Sequence, residues 1–239
     1  MSKLFFLDVG HAFGARPGSS FASGLEEGVY NTNIRDRVTS VLSARDALEK
    51  IVSNFPYHVR EIDRLLNFPQ YTVIVSNEEN DILLGKYSER QLSAYEMGVN
   101  AYIQMHFNAG GGKYAIVGYP AFGSYTQESE RMANIFAEVY KERLDIIGKG
   151  NLIDKIQIWD VSTASADPAH RRIANCLNSV QYPSILIEPF FVDNENHAKF
   201  FETENGKNFL ASVYLSVMDR VSRELLDKTT PDRVDCRWR

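Results

Sequence analysis

The chain has 239 residues, 44% of them hydrophobic and 24% charged, a composition that is ordinary for a globular protein and fits a single α/β domain. Its formal net charge of −5 provides no basic footprint, so the sequence predicts no nucleic-acid partner. Two cysteines, Cys176 and Cys236, are too few for a disulfide framework, and no apolar run approaches the ~20 residues of a membrane span, so we expect reduced thiols and no membrane insertion.

The first half of the chain alternates between short apolar runs and stretches with helical spacing. A strand over residues 3–9 is followed by a loop rich in Gly and Ser, and then by a helix that begins near Glu27. The apolar residues on the face of this helix that is predicted to be buried are Ile34, Val38, Val41, Leu48 and Val52. The elements predicted next are a short amphipathic helix over residues 59–66, a strand over 71–75, a helix over 88–97 and a strand over 101–105.

The second half continues the same alternation. Strands are predicted over residues 114–119, 156–159 and 184–187, helices over 128–147 and 169–177, and a long closing helix at Leu210, Val213, Tyr214, Val217 and Val221. Because the connections are mostly too long for hairpins, we predict an α/β fold with a mostly parallel (mixed) central sheet and helices on both faces. One domain is expected over residues 1–228, followed by a polar tail over residues 229–239.

Three ionisable residues follow predicted strands directly: His11, His106 and Glu188. Ligand sites of open α/β sheets lie just beyond the carboxyl ends of the strands. Two imidazoles and a carboxylate that meet there would form a His2Glu zinc site with a fourth position open to water. A second carboxylate beside that water is what metal-assisted hydrolysis of an amide requires. Together with Glu27, which opens the first helix, these residues predict a zinc amidohydrolase.

Each of these residues also has a purely structural interpretation. A single histidine such as His11 is more often a capping or core residue than a metal ligand. An imidazole in an apolar strand, like that of His106, needs a partner for each ring nitrogen, which a metal and an acceptor behind it would provide. A carboxylate in the apolar run around Glu188 is costly to bury without a metal, a cation or a raised pKa, and the structural alternative is an ion pair with Arg90.

Four segments occur in a fixed order but with long gaps that spacing alone does not explain: residues 7–11, 27–31, 104–109 and 186–194. They resemble the four signature segments of the type 3 family of zinc-dependent N-acetylmuramoyl-L-alanine amidases, which includes bacterial cell-wall hydrolases and phage endolysins. The resemblance covers roughly residues 3–225. It implies hydrolysis of the amide bond between N-acetylmuramic acid and L-alanine, with peptidoglycan as the partner.

Carried over segment by segment, the resemblance implies three ligands for Zn²⁺ and one catalytic carboxylate: the ligands are His11, Glu27 and His106, and the catalytic residue is Glu188. Glu27 is preferred over Glu26 because the family pattern places an apolar residue three positions after the ligand Glu and commonly Asn one further on. Tyr30 and Asn31 satisfy that count only from Glu27. A Glu-Glu pair before a helix also complements the helix dipole, which is the structural alternative.

The chain departs from the family pattern at three places. Val9 stands where Pro is common, Ser76-Asn77 where many members have Thr-Arg, and residues 54–69 resemble an insertion. The Glu-Pro-Phe-Phe form of the last segment is closer to phage-type members. Because residues 1–8 do not form a signal peptide, we expect an endolysin that stays in the cytoplasm until a holin releases it to the wall.

Two other functions stay open at this point, as does the oligomeric state. A zinc carboxypeptidase usually carries His and Glu two residues apart, a spacing that is absent here, and another amidohydrolase is a related alternative. A non-catalytic peptidoglycan-binding protein would be favoured by loss of Glu188 or a ligand, and all four residues are present. The other histidines are not assigned to the metal: His58 and His197 are expected at solvated helical positions. His170 with Arg172 is expected at an exposed helix start, and contact with the substrate is the alternative.

Overall fold

The computed structural model describes residues 3–11, 20–43, 71–75, 87–177 and 181–226. Within them, six strands form one sheet in the order β2-β1-β3-β6-β4-β5. The strands are β1 (Lys3–Val9), β2 (Tyr71–Val75), β3 (Ala101–Met105), β4 (Tyr114–Pro120), β5 (Lys155–Val161) and β6 (Ser184–Glu188). The runs in β3 and β6 are buried throughout, as expected for strands that are covered on both faces.

The register of the sheet brings the carboxyl ends of three strands to one level. Strands β2, β1, β3 and β6 are parallel to one another. Strand β4 pairs antiparallel with β6, and β5 pairs parallel with β4. Val9 pairs with Met105, and Met105 pairs with Ile187. The residues that follow these three therefore lie at the same edge of the sheet.

Helices cover both faces of the sheet, which confirms the predicted α/β class. They are α1 (Glu27–Ser43), α2 (Tyr87–Glu96), α3 (Thr126–Ile146), α4 (Pro168–Cys176), α5 (Glu195–Phe201) and α6 (Glu204–Val221), with a 3-10 turn at Gly150–Leu152 and a π-helical turn at Ser222–Leu226. Apolar residues of α1, α3 and α6 form the larger core with one face of the sheet. Residues of α2 and α4 pack on the other face, which we call the α4 face.

Where both can be compared, the predicted and observed bounds agree to within two or three residues, except that the closing helix, marked by Leu210 to Val221, begins earlier, at Glu204. The predicted helix over residues 128–147 is observed at Thr126–Ile146, and Gly148 follows it with a φ of 65°. Ile34, Val38 and Val41 of α1 are buried as expected. Other predictions concern residues outside the described ranges: Leu48, Val52, the helix predicted over 59–66, the insertion over 54–69, Ser76-Asn77, His58, Cys236 and the tail over 229–239.

The prediction that His197 is solvated was wrong. This residue lies in a helix, α5, as expected, but its side chain is buried. Its Nδ1 accepts a hydrogen bond from the Phe191 amide at 3.0 Å, and its Nε2 lies 2.7 Å from the Leu152 carbonyl oxygen. The imidazole is therefore satisfied on both sides as a neutral group, and burial lowers its pKa.

Two further findings concern the described residues as a group. Cys176 is a free thiol. None of the helices in the described part of the chain combines the length and the apolar character that crossing a membrane requires.

Candidate functional site

Main-chain hydrogen bonds hold the ends of three strands together at the carboxyl edge of the sheet. The Gly10 amide donates to the Met105 carbonyl oxygen at 2.8 Å, and the His106 amide donates to the Ile187 carbonyl oxygen at 2.8 Å. Asn31 of α1 donates its side-chain amide to the same Met105 oxygen at 3.1 Å. The site is thus built on the edge that the strand pattern predicts, and α1 is fastened to it.

Gly10 allows the turn after β1 to approach the ring of His106. A Cβ at this position would overlap the Met105 carbonyl oxygen and would lie 2.5 Å from His106 Nε2, so no other residue fits without displacing the imidazole. The next residue, His11, has a φ of 55°, in the left-handed region that costs non-glycine residues on the order of 1 kcal/mol. This conformation places the two imidazole rings edge to face with their centroids 5.0 Å apart.

Glu27 opens α1 and directs a buried carboxylate between the two histidines. Its Oε1 lies 3.0 Å from His106 Nδ1 and accepts the Phe107 amide at 3.1 Å, and its Oε2 lies 3.8 Å from His11 Nε2. A carboxylate in the first turn of a helix is also favoured by the helix dipole. The neighbouring Glu26 is exposed, so the structure places Glu27 and not Glu26 at the site.

The ligand-type atoms of His11, Glu27 and His106 all lie within 4.8 Å of one another. Burial alone would raise the pKa of Glu27, but the hydrogen bond and charge of His106, the charge of His11 and the Phe107 amide together lower it below its ordinary value. Glu27 is therefore an anion between two imidazoles. Two nitrogen donors and one ionised oxygen donor, mostly buried, form a set that fits a divalent metal such as zinc.

Glu188 lies at the end of β6, on the α4 face beside this group. Its side chain is 7% exposed, and burial raises its pKa to about 7, although the charges of His106 and Arg172 act in the opposite direction. Its Oε2 is buried and has no hydrogen-bond partner among the described residues. Arg172 of α4 is a neighbouring cation, with its Nη2 3.9 Å from Glu188 Oε1.

The ion pair between Glu188 and Arg90 that the sequence left open does not form. Arg90 of α2 pairs with Asp8 of β1, with Arg90 Nε 2.9 Å from Asp8 Oδ1, and both side chains are buried. Asp8 also accepts hydrogen bonds from the Tyr102 hydroxyl and from Gln104 Nε2. This buried polar cluster supports the strand ends from the α4 face.

The sequence analysis brought together the four central residues but missed two of their neighbours. Asp8 is a charged residue in an apolar run, the same signal that singled out Glu188, and it was overlooked. Arg172 was noted as part of an exposed helix start, and its side chain is 64% exposed, but its position next to Glu188 depends on how α4 packs on the sheet. His170 is half-buried and stacks on Trp159 with ring centroids 4.6 Å apart.

Comparison with known families decides what this arrangement is related to. The family model described as N-acetylmuramoyl-L-alanine amidase matches residues 5–219. The chain belongs to this family, the type 3 N-acetylmuramoyl-L-alanine amidases. Family membership supports amidase activity on peptidoglycan. No curated protein matches the chain in a sequence comparison.

Solved structures of this family share the fold of the chain. The N-acetylmuramyl-L-alanine amidase Ami1 from Mycobacterium smegmatis has a TM-score of 0.61 at 15% identity, over 92% of this chain and 96% of that one. The CwlD amidase from Clostridioides difficile, solved in complex with the GerS lipoprotein, has a TM-score of 0.61 at 19% identity, over 92% and 99%. The catalytic domain of CwlV from Bacillus (Paenibacillus) polymyxa var. colistinus has a TM-score of 0.60 at 15% identity, over 95% and 99%.

Proposed function

We propose that this member of the family hydrolyses the amide bond between N-acetylmuramic acid and L-alanine as a zinc-dependent enzyme, with Glu188 as its proton acceptor. The observation that carries the proposal is the convergence of His11, Glu27 and His106 within 4.8 Å, beside a buried carboxylate. The three metal ligands alone would not carry the proposal, because ligands without a neighbouring proton acceptor also occur in structural metal sites.

His11, Glu27 and His106 would hold the metal. Bound zinc would supply a water of lowered pKa, roughly 7, and would polarise the carbonyl of the substrate. Glu27 is suited to this role because it stays ionised, and its contact with His106 fixes the orientation of that ring. The rest of the chemistry falls to the residues of the chain itself.

Glu188 accepts the proton of the attacking water and afterwards delivers it to the nitrogen of the departing alanine. A pKa of about 7 matches this double task, since proton transfer in both directions is most efficient when the pKa lies near the working pH. The buried Oε2, which has no hydrogen-bond partner among the described residues, is available to the water. Burial of the carboxylate also strengthens its electrostatic influence on the reacting atoms.

The test of this function identifies the bond that is cut. Purified peptidoglycan is digested with the zinc-loaded protein, and the products are examined for new amino-terminal alanine, for new reducing sugar ends and for free D-alanine. We expect new amino-terminal alanine alone, loss of the activity with a chelator, and recovery with zinc. New reducing ends would indicate a glycosidase, free D-alanine a carboxypeptidase, and zinc binding without any product a peptidoglycan-binding protein.

We also propose that the enzyme acts as a phage or prophage endolysin that reaches the wall from the cytoplasm through a holin. The support is the Glu188-Pro-Phe-Phe segment, whose form resembles phage-type members of the family. Expression inside bacteria is expected to leave the cells intact until the membrane is permeabilised, and then to lyse them within minutes. Lysis that needs no permeabilisation, or none after it, would contradict this role.

A further inference from the structure

Helix α4 is seated firmly on the sheet, so the residues along it have well-defined positions. Ile173 is buried, and its Cγ2 would lie 2.5 Å from a Cβ at Gly118, which means that the helix touches the backbone of β4. The Asp167 side chain caps the helix by accepting the Ala169 amide at 2.8 Å. Arg172, which precedes Ile173, is therefore held beside β6 by its own helix.

The guanidinium of Arg172 combines proximity to Glu188 with access to solvent. Its Nη2 lies 3.9 Å from Glu188 Oε1, at the outer limit of an ion pair, and its side chain is 64% exposed against 7% for Glu188. A guanidinium has five N–H donors in a planar fork that suits a carboxylate. Because its side chain is mostly exposed, most of these donors are open to solvent beside Glu188.

Two other arginines that the structure describes on the α4 face donate to protein atoms. Arg90 forms the buried pair with Asp8. Arg171 donates to the carbonyl oxygens of Ser165 and Ala166, at 2.6 Å and 2.9 Å, and so holds the loop before α4. Arg172 differs from both. Its contact among the described residues is the 3.9 Å approach to the carboxylate of Glu188, the proposed proton acceptor.

The distance from Arg172 to the reacting atoms indicates which group of the substrate the guanidinium can reach. A proton acceptor lies about 3 Å from the water that it activates, and that water lies about 3 Å from the carbon that it attacks. The guanidinium is therefore within roughly 7 to 10 Å of the scissile bond. In an extended peptide with Cα atoms about 3.8 Å apart, the α-carboxylate of the residue after the alanine lies roughly 6 to 8 Å from that bond.

We propose that Arg172 is a specificity-determining residue that binds a free carboxylate on the second residue of the stem peptide. The protein would then prefer acidic stem peptides to those in which this carboxylate is amidated. The inference rests on the proposed function, because it takes the peptide of peptidoglycan as the ligand.

The experiment measures binding without turnover. The probes are two tripeptide amides, L-Ala-γ-D-Glu-L-Lys-NH2 and its counterpart with D-isoglutamine, which differ only in the carboxylate at the second residue. Their dissociation constants are measured by calorimetry on the zinc-loaded wild type and on the Arg172→Gln, Arg172→Lys and Arg131→Gln variants. Arg131 is an exposed arginine on α3, on the other side of the sheet, and its replacement removes the same charge from a distant place.

We expect the wild type and Arg131→Gln to bind the acidic probe on the order of tenfold more tightly than the amidated one, because a charge-assisted hydrogen bond is worth about that factor. Arg172→Gln should abolish the preference, and Arg172→Lys should keep part of it. Equal affinities in the wild type, or a preference that survives in Arg172→Gln, would overturn the proposal. A third result would also overturn the proposal. If Arg172→Gln lowers kcat equally for acidic and amidated muramyl peptides while its affinity ratio stays as in the wild type, Arg172 acts on Glu188 alone.

Failure of the proposed function would look different. It would appear as the absence of cleavage of either intact muramyl peptide by the zinc-loaded wild type, whatever the affinities of the two tripeptides. Cleavage together with equal affinities would keep the amidase function and remove Arg172 from substrate selection.

Discussion

At the scale of single residues, the most unusual group is the buried carboxyl of Glu188. Burial raises its pKa to about 7, and the charge of Glu27 acts in the same direction, while His106 and Arg172 only partly oppose the shift. A structural carboxylate would be expected to have a close cation or several donors. Glu188 has one cation at 3.9 Å and an oxygen without a hydrogen-bond partner in the described part of the chain. Its environment suits proton transfer more than stability.

This environment predicts how the stability of the metal-free protein depends on pH. The pKa of Glu188 is about 7 in the folded protein, and its ordinary value is 4.5. As pH rises, the unfolded chain therefore releases this proton before the folded chain does. The metal-free protein loses stability as pH rises from 4.5 to about 7. Glu188→Gln removes the penalty. We expect this variant, unfolded in urea, to exceed the metal-free wild type by on the order of 1–3 kcal/mol at pH 8 and to resemble it near pH 5. Replacement of the exposed Glu195 by Gln serves as the control, and a Glu188→Gln variant less stable than wild type at pH 8 would disprove the penalty.

Gly10 gives a second prediction at this scale. In Gly10→Ala the new methyl group would overlap Met105 and the His106 ring, so the imidazole must shift and its contact with Glu27 is disturbed. We expect zinc affinity to fall at least about tenfold, as for changes that disturb the surroundings of metal ligands. Gly118→Ala is the matched control, because its methyl group would meet Ile173 at 2.5 Å but lies away from the metal group. Equal zinc affinities in the two variants, measured by competition with a chelator dye, would argue against this role of Gly10.

At the scale of elements, the Asp8–Arg90 pair fastens α2 to β1 below the site. Both residues are buried, so removing one partner leaves an uncompensated charge in the interior. Arg90→Ala is expected to lower the free energy of unfolding by about 3–5 kcal/mol, while the exposed Arg131→Ala changes it by less than about 1 kcal/mol. The measurement is urea unfolding of the two variants with zinc in excess. A loss below 1 kcal/mol in Arg90→Ala would show that α2 is held by its apolar contacts alone.

The elements also show what the sequence pattern could and could not predict. Strands such as β3 were predicted with the observed bounds because a buried parallel strand is a short apolar run between polar stretches. Helix α5 received no predicted bounds because it has seven residues and ends in two phenylalanines, too short for a periodic pattern. The solvated position assigned to His197 was wrong because its partners, Phe191 and Leu152, come from other segments that the local pattern does not show.

At the scale of the whole molecule, the parallel register makes the site partly predictable. Because Val9, Met105 and Ile187 lie at one level, the residues after them had to meet at one edge of the sheet, and the sequence pattern alone indicates this. Glu27 enters from a helix, and its place depends on how α1 packs, so only the family resemblance predicted it. The position of Arg172 beside Glu188 depends in the same way on the packing of α4, which no local pattern encodes.

The most direct test of the central claim compares zinc content and peptidoglycan products in three proteins prepared in parallel. The account predicts that the wild type holds one equivalent of zinc and releases stem peptides with amino-terminal alanine. Glu188→Gln should keep the zinc and release nothing, whereas His106→Ala should lose both. Full activity of Glu188→Gln, or stoichiometric zinc in His106→Ala, would contradict the account.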